Sequence, residues 1–320
     1  MSANVIPIAR EFEGEVDLAR LVAMLHGVVA ADRGGLTVSE ADLRFEWIDD
    51  EPGWIRQLRV WEVGERFVAS FGAWHEVADQ LNRAYSELDI HPEWREPVYV
   101  DEVVQAMMDA VAALIERPVE HRLGGPSGQD WRREGLERAG YTLDRAYNRM
   151  IAPLSGATPA PRAPQDYSIR PFAGETEIED WVSVFNKGFA THHDPPTTTV
   201  EEKRHRMEEA GYMADADLVL TDPAGSMVGL ARNSREIVDS GDDLGWVNSI
   251  IVLPEYRGQG LGRALLLASM RALFDAGFER AILTVDTGNQ TGAAHLYESV
   301  GFRIDHQFIQ HVRVIEPAAP

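Results

Sequence analysis

The sequence predicts an α/β protein of the mixed, α+β type, built from two tandem units, each a twisted mixed β-sheet flanked by helices. Three observations predict it. The chain has 320 residues, about twice a common domain size. A stretch at 153–166, PLSGATPAPRAPQD, is rich in Pro, Ala, Gly and Ser without apolar period, and reads as a semi-extended linker. The segments on either side repeat one order of elements. The expected units are therefore 1–152 and 167–320, joined by 153–166.

Taken in order, the second unit opens on a short strand at 167–172. Helical spacing follows over 176–190, where Ile178, Trp181, Val182, Phe185 and Phe189 share a face. Another helix is expected at 200–210. Strands at 217–221 and 227–232 are joined by Pro223-Ala224-Gly225, a hairpin-type turn. A strand at 246–253 runs into a helix at 260–276, with Leu261, Leu265, Ala268 and Leu273 apolar and Gly277 as its stop. A strand at 281–285, a helix at 292–300 and a long strand at 303–314 complete the unit. The order is β-α-α-β-β-β-α-β-α-β.

The first unit follows the same plan. A helix is expected at 15–31, strands at 58–63 and 67–74, a strand before His91-Pro92, and a helix at 100–116. Residues 129–139 and 141–150 close it as helix and strand. Two segments align without gaps: HPEWREPVYVDE (91–102) lies over LPEYRGQGLGRA (253–264), and RREGLERAGY (132–141) over AAHLYESVGF (293–302). These point to an internal duplication.

Bulk composition narrows the chemistry. No cysteine is present, which excludes disulfides, thiolate metal sites and a thiol nucleophile. A formal charge of −22 opposes nucleic acid as a partner. It suits a cationic amine, and equally a surface that is acidic only for solubility. The start, MSANVIPIAREFEGE, lacks the basic and apolar regions of a secretory signal. No apolar run approaches the roughly 20 residues of a membrane span. The expectation is a cytoplasmic protein without a membrane partner, and the oligomeric state is unreadable.

One stretch carries chemistry. An apolar strand ending Ile250-Ile251-Val252-Leu253 enters Pro254-Glu255-Tyr256-Arg257-Gly258-Gln259-Gly260-Leu261-Gly262-Arg263, which opens directly into a helix. Free N–H groups at a helix start, with the positive end of its dipole, form an anion site. Glycines admit phosphate oxygens close to the backbone. The G-x-x-x-x-G-K-[ST] pattern of a P-loop is absent, and Arg263 occupies the third glycine position of a G-x-G-x-x-G fingerprint counted from Gly258. What stands at 257–262 is R-x-x-G-x-G.

That run resembles the pyrophosphate loop of the GNAT superfamily of N-acetyltransferases. Downstream, Asn289 and the run Leu296-Tyr297-Glu298-Ser299-Val300-Gly301-Phe302 are similar to that family's second cofactor segment, and the tandem layout resembles mycothiol synthase-like proteins. The resemblance implies acetyl-CoA, or another acyl-CoA, as co-substrate, without a metal. It implies that the backbone of Ile250 and Val252 holds the pantetheine arm in the manner of an added strand. The N–H groups of Gly258, Gly260, Leu261, Gly262 and Arg263, with Arg257 nearby, would hold the pyrophosphate. Asn289 would bond the pantetheine amide or cap the following helix. Tyr297 would act as general acid toward the departing thiolate. Without a cysteine, direct attack by a primary amine, expected on a small molecule, is the route implied.

The general base stays open among Asp242, Asp243, His192 and His193. His192-His193-Asp194 lacks the spacing of a metal site. In the first unit the alignment puts Glu96, Val98, Val100 and Asp101 over Gly258, Gly260, Gly262 and Arg263, and Leu136 over Tyr297. Acidic and β-branched groups there oppose a pyrophosphate, so that unit is expected to be degenerate: structural, or a wall of the acceptor pocket. Two further readings remain beside the small-molecule transferase. One is a CoA-binding or small-molecule-sensing module without turnover. The other is a protein N-acetyltransferase, which an open acceptor groove would favour.

Overall fold

A computed structural model of the chain describes residues 6–32, 40–48, 53–77, 82–156, 159–161, 163–164, 166–190, 196–208, 212–236, 244–288 and 292–318. The first half runs β1 (Ile8–Glu11), α1 (Glu15–Ala31), α2 (Glu40–Trp47), β2 (Trp54–Val63), β3 (Arg66–Glu76), β4 (Arg83–Ile90), α3 (Pro97–Leu114), β5 (Val119–Pro126), α4 (Asp130–Arg138) and β6 (Thr142–Pro153). The second runs β7 (Ser168–Pro171), α5 (Ile178–Phe189), α6 (Val200–Glu208), β8 (Leu218–Thr221), β9 (Met227–Glu236), β10 (Leu244–Val252), α7 (Leu261–Asp275), β11 (Arg280–Asp286), α8 (Ala293–Ser299) and β12 (Arg303–Ile315). Both halves have the order β-α-α-β-β-β-α-β-α-β that the sequence predicts for the second.

Three elements of the first half escape the sequence reading. β1 is a four-residue strand at the sheet edge, with Ile8 exposed. α2 is short, EADLRFEW, with no long apolar period. β5, VEHRLGGP, interrupts its apolar pattern with buried His121 and Arg122 and carries two glycines. His121 is satisfied within the fold by the Tyr141 hydroxyl at 2.5 Å and Ser86 Oγ at 2.8 Å. Burial pushes its pKa down to about 3, so it stays neutral.

All twelve strands form one sheet, in the order β1-β2-β3-β4-β5-β12-β6-β11-β10-β9-β8-β7. The last strand of each half has crossed into the other. β12 runs antiparallel to β5 from Phe308↔Pro126 to Ile315↔Val119. β6 runs antiparallel to β11 from Arg280↔Pro153 to Asp286↔Tyr147. The two exchanged strands also pair with each other.

Side chains follow the exchange. Met150 and Ala152 of β6 lie in the core under α7, while Ile315 of β12 lies in the core under α3. Full burial of a side chain such as Met150 or Ile315 contributes on the order of 1.5–3 kcal/mol. Ala318 N donates to Ala112 O at 2.8 Å and pins the tail to α3.

Helices cover both faces of the sheet. Successive residues of β2 show why: Val60 packs with α1 and α2, and Trp61 with α3. In the second half Val219 of β8 packs with Trp181 and Phe185 of α5, while Leu218 and Leu220 pack with Leu261 and Leu265 of α7.

Candidate active site

β10 and β11 are parallel only from Leu244↔Arg280 to Trp246↔Ile282. Beyond Trp246 a register shift against β9, between Val247 and Ser249, marks a bulge in β10. A bulge bends its strand and sharpens its twist, which carries β10 away from β11. The β11-facing edge of β10 is left without a strand partner among the described residues. Ile250 and Val252 lie on this stretch, and their side chains pack into the clusters around α7. The side chain of Val252 is buried and that of Ile250 half-buried.

The strand leads through a 3-10 turn (Pro254–Tyr256) into the glycine loop and α7. Gly258 has φ 78° and Gly260, the N-cap of α7, φ 80°. Both lie in the left-handed region that residues with a Cβ rarely adopt. The first N–H inside the helix to find a backbone acceptor is that of Ala264, bonded to Gly260 O at 3.1 Å. The N–H groups of Gly258, Gly260, Leu261, Gly262 and Arg263 have no acceptor among the described residues. Arg257 Nε donates to Val252 O at 2.9 Å, which folds its stem along the loop. The head of Arg263 has no partner among the described residues. Unbonded N–H groups at a helix start, with the positive end of its dipole, can hold an anion at the mouth of the strand gap.

Tyr297 stands on α8, half-buried, its ring 6.2 Å centroid to centroid from Phe302. It packs against the cluster that includes Leu283 and Val285 of β11. Burial pushes its phenol above the ordinary value, so it holds its proton at neutral pH. Asn289, His192, His193, Asp242 and Asp243 lie outside the described residues.

The turn between β11 and α8 is tethered to the first half in a way the sequence reading missed. Asp286 is ion-paired with Arg145 of β6, and its Oδ1 accepts from Gly288 N at 2.7 Å. Thr287 donates to Ala146 O from N at 2.9 Å and from Oγ1 at 3.0 Å. The only sequence signal is a carboxylate directly after an apolar run.

The first half holds the counterpart of this site. β4 and β5 are parallel from Arg83↔Glu120 to Ser86↔Leu123 and then part. Arg95 Nε donates to Ile90 O at 2.9 Å, the contact that Arg257 makes to Val252. Past that arginine the two loops differ. Both terminal nitrogens of Arg95 are held by Asp32, at 2.7 and 2.6 Å. Glu96 has φ −68°, and its carbonyl accepts from Tyr99 N at 3.0 Å and Val100 N at 3.1 Å. Pro97, the first residue of α3, has no N–H. Leu136, in the place of Tyr297, is fully buried.

A cavity of about 900 Å3 opens in the β4–β5 gap and crosses the sheet face over β12 and β6 to Trp246 of β10 and Thr284 of β11. It is walled by both halves. Among the described residues no group of three or more His, Asp or Glu side chains is placed to hold a metal ion, and no helix is long and apolar enough to cross a membrane.

A splayed parallel strand pair, a glycine cradle at the following helix and a second helix bearing a tyrosine define the GNAT class of acetyltransferase, and the profile of the Acetyltransferase (GNAT) family matches residues 176–302. The chain belongs to that family and is an acetyl-CoA-dependent N-acetyltransferase. Among its relatives is a protein of Thermobispora bispora named mycothiol acetyltransferase, 32% identical over 68% of this chain and 71% of that one. One of Salinispora arenicola with the same name is 30% identical over 68% of each chain. In fold the chain is similar to a GCN5-related N-acetyltransferase from Sphaerobacter thermophilus, with a TM-score of 0.79 and 20% identity over 98% of this chain and 97% of that one. It is also similar to a tandem GNAT protein from the clavulanic acid biosynthesis pathway, with a TM-score of 0.75 and 12% identity over 98% and 100%.

Proposed function

We propose that the protein moves an acetyl group from acetyl-CoA to a primary amine of a small molecule, by direct attack, at a site in the second half. The unbonded N–H groups of residues 258 and 260–263, beside the open edge of β10, carry this reading. They fit a pyrophosphate, with Arg257 and Arg263 adding charge on a chain of net charge −22. The main chain of Ile250 and Val252 fits the pantetheine arm as an added strand, and Asn289 is its further partner. The first-half loop offers no such cradle, because Pro97 and the Glu96 carbonyl consume it.

Bound acetyl-CoA supplies an activated acyl carbon. The amine nitrogen bonds to that carbon, the carbon–sulfur bond breaks, and Tyr297 Oη delivers its proton to the sulfur. The attacking nitrogen is neutral and loses one proton as the amide forms, directly or through water, to one of Asp242, Asp243, His192 and His193; that proton balances the one that Tyr297 gives to the sulfur. The name of the bacterial relatives supports a small-molecule acceptor. For the relatives' name to describe this chain too, the acceptor would be the amine of a mycothiol precursor.

Tyr297→Phe tests the acid. The expected loss in kcat is about 10²–10⁴-fold with the KM for acetyl-CoA nearly unchanged. The wild-type rate should fall at alkaline pH on a limb above the ordinary phenol value of about 10, because burial raises this phenol. That limb should vanish in the variant. Full activity of Tyr297→Phe near neutral pH would remove the residue from the mechanism.

A further inference from the structure

Between β4 and β5 a guanidinium stands where the second half has an open gap. The two strands are paired as far as Ser86↔Leu123. Just past that point Arg132 of α4 donates from Nη1 to Gly124 O on β5, at 2.8 Å, and from Nη2 to Leu88 O on β4. Nη2 also lies 3.3 Å from Asp89 Oδ1. One side chain thus bridges both banks of the gap, and it is only 8% exposed. Where strands part, buried carbonyls lose their ladder partners and need others. The planar fork of a guanidinium, rich in donors and without an acceptor, suits two carbonyls and a carboxylate together.

The backbone of β5 is shaped around this group. A Cβ added at Gly125 would fall on Arg132 Nη1 and lie 2.9 Å from its Cδ and 3.0 Å from its Cζ. The three nearest neighbours of that Cβ all belong to this one side chain. Gly125 is paired with Ile309 in the ladder to β12, so glycine is needed there for space and not for a turn.

The second half differs at the matching positions. Arg95 and Arg257 make the same contact, to the carbonyls of Ile90 and Val252, which matches Leu88 to Ile250 two residues earlier. The alignment of α4 with α8 puts Arg132 over Ala293. A methyl group spans no gap, and the edge of β10 around Ile250 has no strand partner on that side among the described residues. The main chain of Ile250 is where the acetyl-transfer reading places the arm of the cofactor.

We infer that the first-half gap is a guanidinium-binding site and that Arg132 is its built-in ligand. Arg132 takes the place that the second half keeps open for the cofactor's arm. It ties β4 to β5 past their last pair and forms part of the cavity wall there, beside Leu88, Asp89, Gly124 and Gly125. Describing the matching gap as a cofactor slot rests on the acetyl-transfer reading above; the bridge itself does not.

The test uses the full chain without acetyl-CoA and follows its thermal unfolding. Arg132→Ala should melt about 5–10 °C below wild type. Ethylguanidinium is the probe, because it restores the atoms that this substitution removes beyond Cβ. At about 10 mM, far below a denaturing concentration, it should recover about half of the loss in the variant and leave wild type unmoved. Gly125→Ala should lower the melting temperature of wild type, because its methyl displaces the guanidinium. In the Arg132→Ala background the same methyl should cost nothing further. Should Arg132→Ala fail to fold, ethylguanidinium is expected to return its near-ultraviolet circular dichroism. The inference is overturned by an Arg132→Ala chain that melts with wild type, by a loss that ethylguanidinium does not reverse, or by a Gly125→Ala cost that is the same in both backgrounds. None of these outcomes touches the transferase reading, since no cofactor is present. Failure of acetyl-CoA to bind the chain would remove that reading and leave the bridge standing.

Discussion

Lys203 on α6 is 2% exposed, and its ammonium is hydrogen-bonded to the equally buried carboxylate of Asp217. The ammonium lies 4.1 Å from the ring centroid of Trp181 and 4.7 Å from that of Phe172, and the Tyr212 hydroxyl donates to the same carboxylate at 2.8 Å. Burial lowers the lysine pKa, and the carboxylate opposes that shift. Removing the lysine alone strands a buried negative charge. Lys203→Met should therefore cost about 3–5 kcal/mol in urea unfolding, and a change below about 1 kcal/mol would show that water reaches the carboxylate. This cluster was unreadable beforehand, because its members stand on α5, α6 and the segments that follow β7 and precede β8, and they meet only when these pack together. The tight turn at Gly258 and Gly260 was readable, because left-handed backbone before a helix depends on residue types at adjacent positions. Tyr297 was readable only through its place in a motif; nothing in the sequence shows its half-buried ring.

Among the elements, the two glycine-loop counterparts show how little separates a cradle from a closed turn. Both begin with a 3-10 turn after a strand, and both fold an arginine back onto the strand's last carbonyl. A proline at the first helical position and the loss of positive φ suffice to close one of them. The sequence alignment located this difference by residue type, since proline and glycine act locally. It missed that β6 of the first half tethers the turn before α8 through Arg145 and Asp286. Arg145→Met leaves the half-buried Asp286 without its ion pair and should loosen that turn. The expected outcome is a kcat about tenfold lower and a stability loss of about 1–3 kcal/mol, with Arg145→Lys restoring most of the rate. An unchanged kcat would show that the turn holds α8 without β6.

Across the whole molecule, the exchange of β6 and β12 makes one sheet of two units. Periodicity placed both strands and alternation marked their buried faces, but no local pattern states which neighbour a strand takes. The linker at 153–166 suggested separable halves, whereas each core contains side chains of the other half's last strand. Removing residues 303–320 would uncover β5 and β6 together. Such a chain should lack native near-ultraviolet circular dichroism, and the intact chain should unfold in a single transition seen alike by tryptophan fluorescence and far-ultraviolet signal. Two separated transitions would show halves that fold independently.

The claim on which the rest depends is that acetyl-CoA binds the α7 cradle and not its first-half counterpart. Calorimetric titration of acetyl-CoA into wild type and into the Gly260→Glu, Gly262→Val double variant tests it most directly. The variant places charge and bulk, in the manner of the first-half loop, where the phosphates would lie. Stoichiometric binding by wild type and none by the double variant is the predicted result. Equal binding by both, or none by wild type, would contradict the assignment.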